Sequence, residues 1–265
     1  MSGLSIWEMA IIPMLLYNAE TWQGITRKTI DLLEKLQLNF LRTLLGVGTA
    51  CPIVMLYAET GTLLMEFRIL QKKLIFLHHL SHLPVSALAK EVFDIQTAQG
   101  LPGIWDDCKE FLARYEIHDI VQLSKLQFKR LVREKIKEMN RTKLIELARK
   151  KQYKKVDLAD LAINDFDLKP YFRNLSIPDS KLKFKITCHM VPGVKMNFQS
   201  DKGYAKKLWV CEACKSPGKL GLLDSQEHLL VCSAYERFRV GKDFDKDEDL
   251  VEYVKCVLQE RVQNT

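Results

Sequence analysis

The sequence predicts a mainly α protein, a helical body followed by a small, turn-rich module stapled by zinc. Three observations carry that expectation. Apolar residues recur at spacings of three and four through about the first 150 positions. After Pro170 the chain is punctuated by Gly193, Gly203, Pro217, Gly218 and Gly221. A Cys-x-x-Cys pair is then followed, 13 residues on, by a His and a Cys four apart.

The elements follow in order. Met9 to Ala19, between Glu8 and Glu20, is an apolar run that falls short of the roughly 18 residues a spanning helix needs. No membrane segment is expected, and without a basic n-region or a cleavage site no secretory signal either. The apolar run instead reads as a buried helix. Thr29 is placed to cap a helix with Ile30, Leu33, Leu36, Phe40, Leu41 and Leu44 on one face and Gly46 at its end. Pro52 suits the first turn of the next, which carries Ile53, Leu56 and Tyr57 and stops near Gly61. Leu63, Phe67, Leu70, Leu74 and Leu77 mark a third that ends before Pro84. Further helices are expected over 85–98, 103–115, 124–139 and 142–152. By contrast, Leu182 to Cys188 alternates Lys with apolar or Thr residues and reads as a short strand or extended arm. These patterns divide the chain into 1–84, 85–170 and 171–265, with a body-to-module boundary near 156–180.

Charge sharpens the division. Of the 265 residues, 40 are Lys or Arg and 33 are Asp or Glu, a net +7. That balance describes a soluble globular chain, but the charge is blocked. From Lys125 to Lys155 there are 13 basic and 3 acidic residues, +10 in one stretch, and Lys181 to Leu220 adds +7. The remaining segments are acidic. Such clustering is the footprint of a phosphate-binding surface, because each neutralised phosphate releases condensed counterions. The residues expected to contact RNA or DNA are Lys125, Lys129, Arg130, Arg133, Lys137, Arg141, Arg149, Lys150, Lys151, Lys154 and Lys155. In the second patch, Tyr204, Lys206, Lys207 and Trp209 interleave rings with cations, a pattern that suits single strands. Trp209 serves equally well as the plug of a small metal-stapled core.

The strongest chemical signal is Cys211, Cys214, His228 and Cys232. Two thiolates in a tight turn and a His and Cys one helical turn apart complete a tetrahedral set, for which zinc is the natural ion. Asp224 and Glu227 have the form of a capping box for the helix bearing His228. With four protein ligands the zinc would be structural. The odd total of seven cysteines fits ligation better than a disulfide framework, and Cys51, Cys108, Cys188 and Cys256 read as core-facing or incidental. The sequons at Asn140 and Asn174 then carry no weight.

Other features mimic chemistry. Trp105-Asp106-Asp107 invites comparison with the paired carboxylates of a polymerase, yet it follows Pro102-Gly103 at a helix start, where acids favour the dipole. Gly46-Val47-Gly48 is a helix end rather than a phosphate loop. His78 and His82 share a helix face without a third ligand and read as a half-exposed polar edge. No nucleophile grouping stands out.

The run Leu15-Leu16-Tyr17-Asn18-Ala19-Glu20-Thr21-Trp22, then Leu36-Gln37, Phe40-Leu41-Arg42 and Leu45-Gly46, resembles the segment after the polymerase core of LINE-type (non-LTR) retrotransposon reverse transcriptases. The run Asp224 to Cys232, with Cys211 and Cys214, resembles the CCHC module near the C-terminus of many such polyproteins. The resemblance implies a thumb-like region over 1–84, a helical linker over 85–170 and a CCHC zinc module over 171–265. It implies a nuclear or cytoplasmic ribonucleoprotein that grips template RNA or target DNA, partnered by a polymerase core. The palm carboxylates are absent, so no catalysis is expected of this chain. The spacing departs from the shortest retroviral knuckle, with 13 residues between Cys214 and His228. Two alternatives stand beside this reading: a host-adopted interaction module, with Arg149-Lys150-Lys151 and Lys154-Lys155 as a nuclear signal, and part of an active RNA-directed DNA polymerase.

Overall fold

The computed structural model describes residues 2–151, 161, 165–191, 211, 213–214 and 224–263. Among them every regular element is helical, and none of the helices is long and apolar enough to cross a membrane. The described residues fall into two compact units, one holding 2–44, 56–151, 161 and 165–168, the other 45–55, 169–191, 211, 213–214 and 224–263.

The first unit opens with α1 (Ser2–Ile6), a π-turn over Trp7–Ile11 and α2 (Ile12–Leu15). The π-turn has an identifiable cause. Pro13 has no amide to donate and its ring crowds the carbonyl a turn earlier, so the ladder widens and Ile12 N–H reaches Trp7 O. The apolar run is accordingly two-faced rather than buried. Ile12, Leu16 and Ala19 are enclosed with Trp7, Met65 and Ile69, whereas Met9, Met14 and Tyr17 are each at least 74% exposed. Trp7 stacks on Phe40 of α3 (Arg27–Leu45) at 4.2 Å.

Thr26, not Thr29, caps α3. Its Oγ1 accepts Thr29 N–H at 3.3 Å, which puts Thr29 inside the first turn. The helix ends at Gly46, whose φ of +64° is the left-handed conformation that glycine adopts without strain. α4 (Ile53–Thr60) stops at Gly61 in the same way.

α5 (Met65–Ser81) is the central helix, packed on α7 (Ile104–Arg114) and α8 (Lys125–Lys151), with α6 (Leu88–Ala98) alongside. Its first turn has no cap from its own chain neighbours. Glu34 Oε2 accepts Met65 N–H at 2.8 Å and Asn140 Oδ1 accepts Leu64 N–H at 3.0 Å. Asn140 therefore explains why two expected helices, 124–139 and 142–152, are one. The polar side chain is 3% exposed and spends its carbonyl on a tertiary partner instead of turning on its own backbone. The single helix spans 27 residues and buries Phe128, Val132, Ile136, Asn140, Leu144 and Ala148. That i+4 ridge packs on a neighbour in the usual ridge-into-groove manner, each large apolar member contributing about 1.5–3 kcal/mol.

Glu34 carries a testable consequence. Burial pushes its carboxyl up from 4.5 to about 7, against the opposing hydrogen bonds from Met65 and Gln37. The fold thus favours the protonated acid, and the stability it contributes is complete below about pH 4.5 and is lost as pH rises through 7. Glu34→Gln should flatten that part of the stability–pH profile and stabilise the protein near pH 8 by no more than about 3 kcal/mol, the side chain being half-buried. Urea midpoints across pH check it.

In the second unit, α9 (Tyr171–Asn174) leads into α10 (Ile177–Thr187). This helix replaces the strand or extended arm expected over 182–188. Ser176 Oγ accepts Asp179 N–H and Pro178 fits the first turn, so the start signal overrides the short alternation. Phe184 and Ile186 are buried, while the flanking Lys183 reaches Asp247 at 2.7 Å. α11 (Gln226–Val231), α12 (Glu236–Arg239) and α13 (Asp247–Gln263) complete the unit. The first turn of α13 carries Asp247, Glu248 and Asp249, which favour its dipole.

Candidate metal centre

The Cys and His side chains converge within the core of the second unit. Cys211 and Cys232 are 1% and 0% exposed and pack with Ile186, Val191, Leu229, Tyr235, Tyr253 and Val254. Ligand atoms of Cys211, Cys214, His228 and Cys232 all lie within 4.8 Å of one another. The Cys211 and Cys232 sulfurs are 3.9 Å apart, and Cys214 Sγ is 3.2 Å from His228 Nε2. A tetrahedron with metal–sulfur bonds of about 2.3 Å has edges of roughly 3.8 Å, so the thiols stand at ligand spacing and far outside disulfide length. This Cys3His group can hold a metal ion.

Its elements are set locally. α11 starts one residue later than the sequence indicates: Ser225, not Asp224, is the cap, and its Oγ accepts His228 N–H at 3.1 Å. Glu227 pairs instead with His189 Nδ1 at 3.0 Å. His228 lies in the helix, and Cys232 is the residue just past its end, in extended conformation.

No protein-family model matches the chain, and no curated protein or solved structure matches it significantly. The electrostatics of the group itself must carry the chemistry.

Burial, then the neighbouring Cys211 and Cys232, push the Cys214 thiol up to about 12. Burial likewise raises Cys232 and lowers His228. Without a cation Cys214 and Cys232 are thus held toward the thiol and His228 toward the neutral imidazole. A bound dication reverses this for the thiols, because it stabilises the thiolates that repel one another, and the neutral imidazole is already in its ligand form.

The shell around these ligands draws on residues that no short spacing ties to them. Arg261, near the end of α13, holds Asp224 with two bonds of 2.8 and 3.2 Å. It also donates to Tyr235 Oη at 3.0 Å and lies 4.0 Å from Cys211 Sγ. Asp224, 2% exposed, is thus an ion-pair partner rather than a cap. Tyr253 Oη donates to Leu229 O at 2.7 Å and Gln226 to Ile186 O at 2.8 Å. Such partners fix the ligand-bearing backbone. Arg261 stands 50 residues from Cys211 and 37 from Asp224, so no local signal could have found it.

The basic residues of 125–151 share α8 but differ in state. Arg130 pairs with Glu134 and Lys135 with Glu138, while Lys137 reaches Asp167 at 2.6 Å and Lys143 reaches Glu66 at 2.5 Å. Among the described residues, Lys125, Lys129, Arg133, Arg149, Lys150 and Lys151 have no acidic partner, and all but Lys129 are exposed. Arg141 is half-buried. Lys154, Lys155, Tyr204, Lys206, Lys207 and Trp209 lie outside the described residues, as do the turn residues Pro217, Gly218 and Gly221.

Asp106 and Asp107 are both engaged structurally. Asp106 pairs with Lys109 at 2.7 Å on the surface. Asp107 pairs at 2.5 Å with Lys73, which is buried and also donates to Trp22 O. The first turn of α7 holds both acids, as a helix start favours.

Proposed function

We propose that the chain is a zinc-stapled nucleic-acid-binding segment of the kind that follows the polymerase core in LINE-type reverse transcriptases, gripping RNA or DNA without chemistry of its own. The observation that carries it is the row of uncompensated cations on α8, a helix roughly 40 Å long whose Lys125, Lys129, Arg133 and Arg149–Lys151 lack acidic partners among the described residues. A solvated helix face normally balances its own charges, and three acids on this one cannot. Zinc is the ion best suited to three thiolates and an imidazole, and four protein ligands leave it no open position for water, so its role is structural. Asp106 and Asp107 are engaged by Lys109 and Lys73 at the start of α7. The partner in this reading is a polymerase core outside this chain.

Salt titration tests the reading. Affinity for single-stranded RNA should fall linearly on a log–log plot against salt, and Lys129→Glu with Arg133→Glu should lower the slope by roughly 1.4, two contacts at about 0.7 each. An unchanged slope removes α8 from the interface.

A further inference from the structure

His78 and His82 do not form the half-exposed polar edge that their spacing implies. His78 is 5% exposed and sits in a column of three rings. Phe128 stacks on His78 at 4.7 Å and His78 on His82 at 4.1 Å, both with 25° between planes. His78 Nε2 meets Leu123 O at 2.8 Å. The two nitrogens of His82 meet His78 O at 2.9 Å and Val121 O at 3.1 Å. Both ring nitrogens of the exposed His82 face carbonyl oxygens, so what His82 offers the cleft is a ring face held in place.

That column lines an open cleft of about 550 Å³ between α5 and the start of α8, within the range of about 300–1,000 Å³ found for small-molecule sites. Its walls carry Phe76 and His79, in ring contact at 6.3 Å, with Lys72, Lys125 and Lys129. Glu20 is the one carboxylate among the described lining residues, and Lys72 neutralises it at 3.2 Å. Lys125 and Lys129, one turn apart on α8, have no acidic partner among the described residues. The capping box at this end of α8 occupies the Ser124 and Gln127 amides with each other's side chains, at 3.0 and 3.4 Å, so neither of these two amides is open to an anion. A cleft with an immobilised ring face on one wall and two uncompensated ammonium groups on the other is complementary to a planar base joined to a phosphate.

We propose that this cleft takes one nucleotide unit, its base stacked on His82 at the open end of the column and its phosphate beside Lys125 and Lys129. The proposal deepens the nucleic-acid reading of α8 and rests on it. The same chemistry is presented by a free nucleotide or by one unit of a single strand.

The test uses the full chain loaded with zinc and a short fluorescent oligouridylate, its abasic counterpart, AMP and inorganic phosphate. The oligouridylate should bind at least about fivefold more tightly than the abasic strand, since a base stacked on a ring is worth about that or more. His82→Ala should lose that preference and His82→Phe, which keeps a ring face, should restore most of it. His79→Ala, at an exposed position where folding is not at issue, should weaken the oligouridylate alone. Displacement by AMP at concentrations where inorganic phosphate fails supports the cleft with a free nucleotide as sufficient ligand. A strand that AMP cannot displace, but that still depends on His82, supports it with the strand as ligand. Equal affinity for the abasic strand, or displacement by phosphate as effective as by AMP, overturns it. If both histidine-to-alanine variants bind like wild type while Arg149→Glu, Lys150→Glu and Lys151→Glu together weaken binding, the cleft proposal fails and the reading of α8 stands. If the wild-type chain binds no oligonucleotide at all, that reading fails and the cleft falls with it.

Discussion

Asp107→Ala should destabilise the first unit by about 2–3 kcal/mol, whereas Asp106→Ala should leave it essentially unchanged. The two carboxylates are adjacent in sequence and alike in charge, but their partners differ. Lys73 is 7% exposed in its side chain, and Asp107 is its counter-ion. Removing that counter-ion leaves a buried ammonium with only the Trp22 carbonyl, and stranding one member of such a pair costs several kcal/mol. The figure here is reduced because Asp107 itself is 36% exposed. The Lys109 partner of Asp106 is on the surface, where ion pairs contribute little. Lys73→Met combined with Asp107→Ala should recover most of the loss, since an apolar replacement leaves no stranded charge. Urea denaturation followed by tryptophan fluorescence, with Trp7 and Trp22 in the affected core, measures all four proteins. Equal effects of the two aspartate variants would mean that the doublet acts as a unit, as a metal-binding pair would.

A larger loss is expected in the second unit. Cys232→Ser replaces a core thiol and a ligand together, and a structural zinc contributes its binding free energy directly to folding. The expected cost is on the order of 5 kcal/mol, comparable to the whole stability of a small domain. His228→Ala should behave alike. Cys256→Ser is the control, since that thiol is half-buried and outside the cluster, and it should melt like wild type. Arg261→Met should fall between them, because it leaves Asp224 buried without its cation while sparing all four ligands. Circular dichroism melts of the full chain order the four variants.

What the sequence made legible follows from how local each signal is. The helices of the first unit show as apolar spacing, and Gly46 and Gly61 stop two of them because a positive φ is a one-residue requirement. Cys211, Cys214, His228 and Cys232 were legible for the same reason: short spacings within a turn and within a helical turn determine what can share an ion. Where the outcome depends on residues far apart in the chain, local reading fails. Asn140 looks like a break, but its carbonyl is held by the Leu64 amide, 76 residues away. His78 and His82 look like a half-exposed polar edge until Leu123 and Phe128 close over one of them. Arg261 has no spacing relation to Cys211, yet it lies against it. The alternation over 182–188 was a genuine strand pattern that lost to a stronger neighbour, the Ser176–Pro178 helix start. Among the basic residues, composition identified the helix and the i,i+4 spacing of Arg130 and Glu134 is itself local, whereas Asp167 becomes the partner of Lys137 only through the fold.

The central claim is that the Cys3His group is a zinc centre on which the second unit depends. Metal analysis of the purified full chain, run alongside its thermal melt with and without a chelator, tests it most directly. The account predicts one zinc per chain, lost in Cys232→Ser, and a melt that drops sharply when the metal is stripped from the wild type and returns when zinc is added back. A chain that purifies without stoichiometric metal, and melts identically with and without chelator, would contradict it.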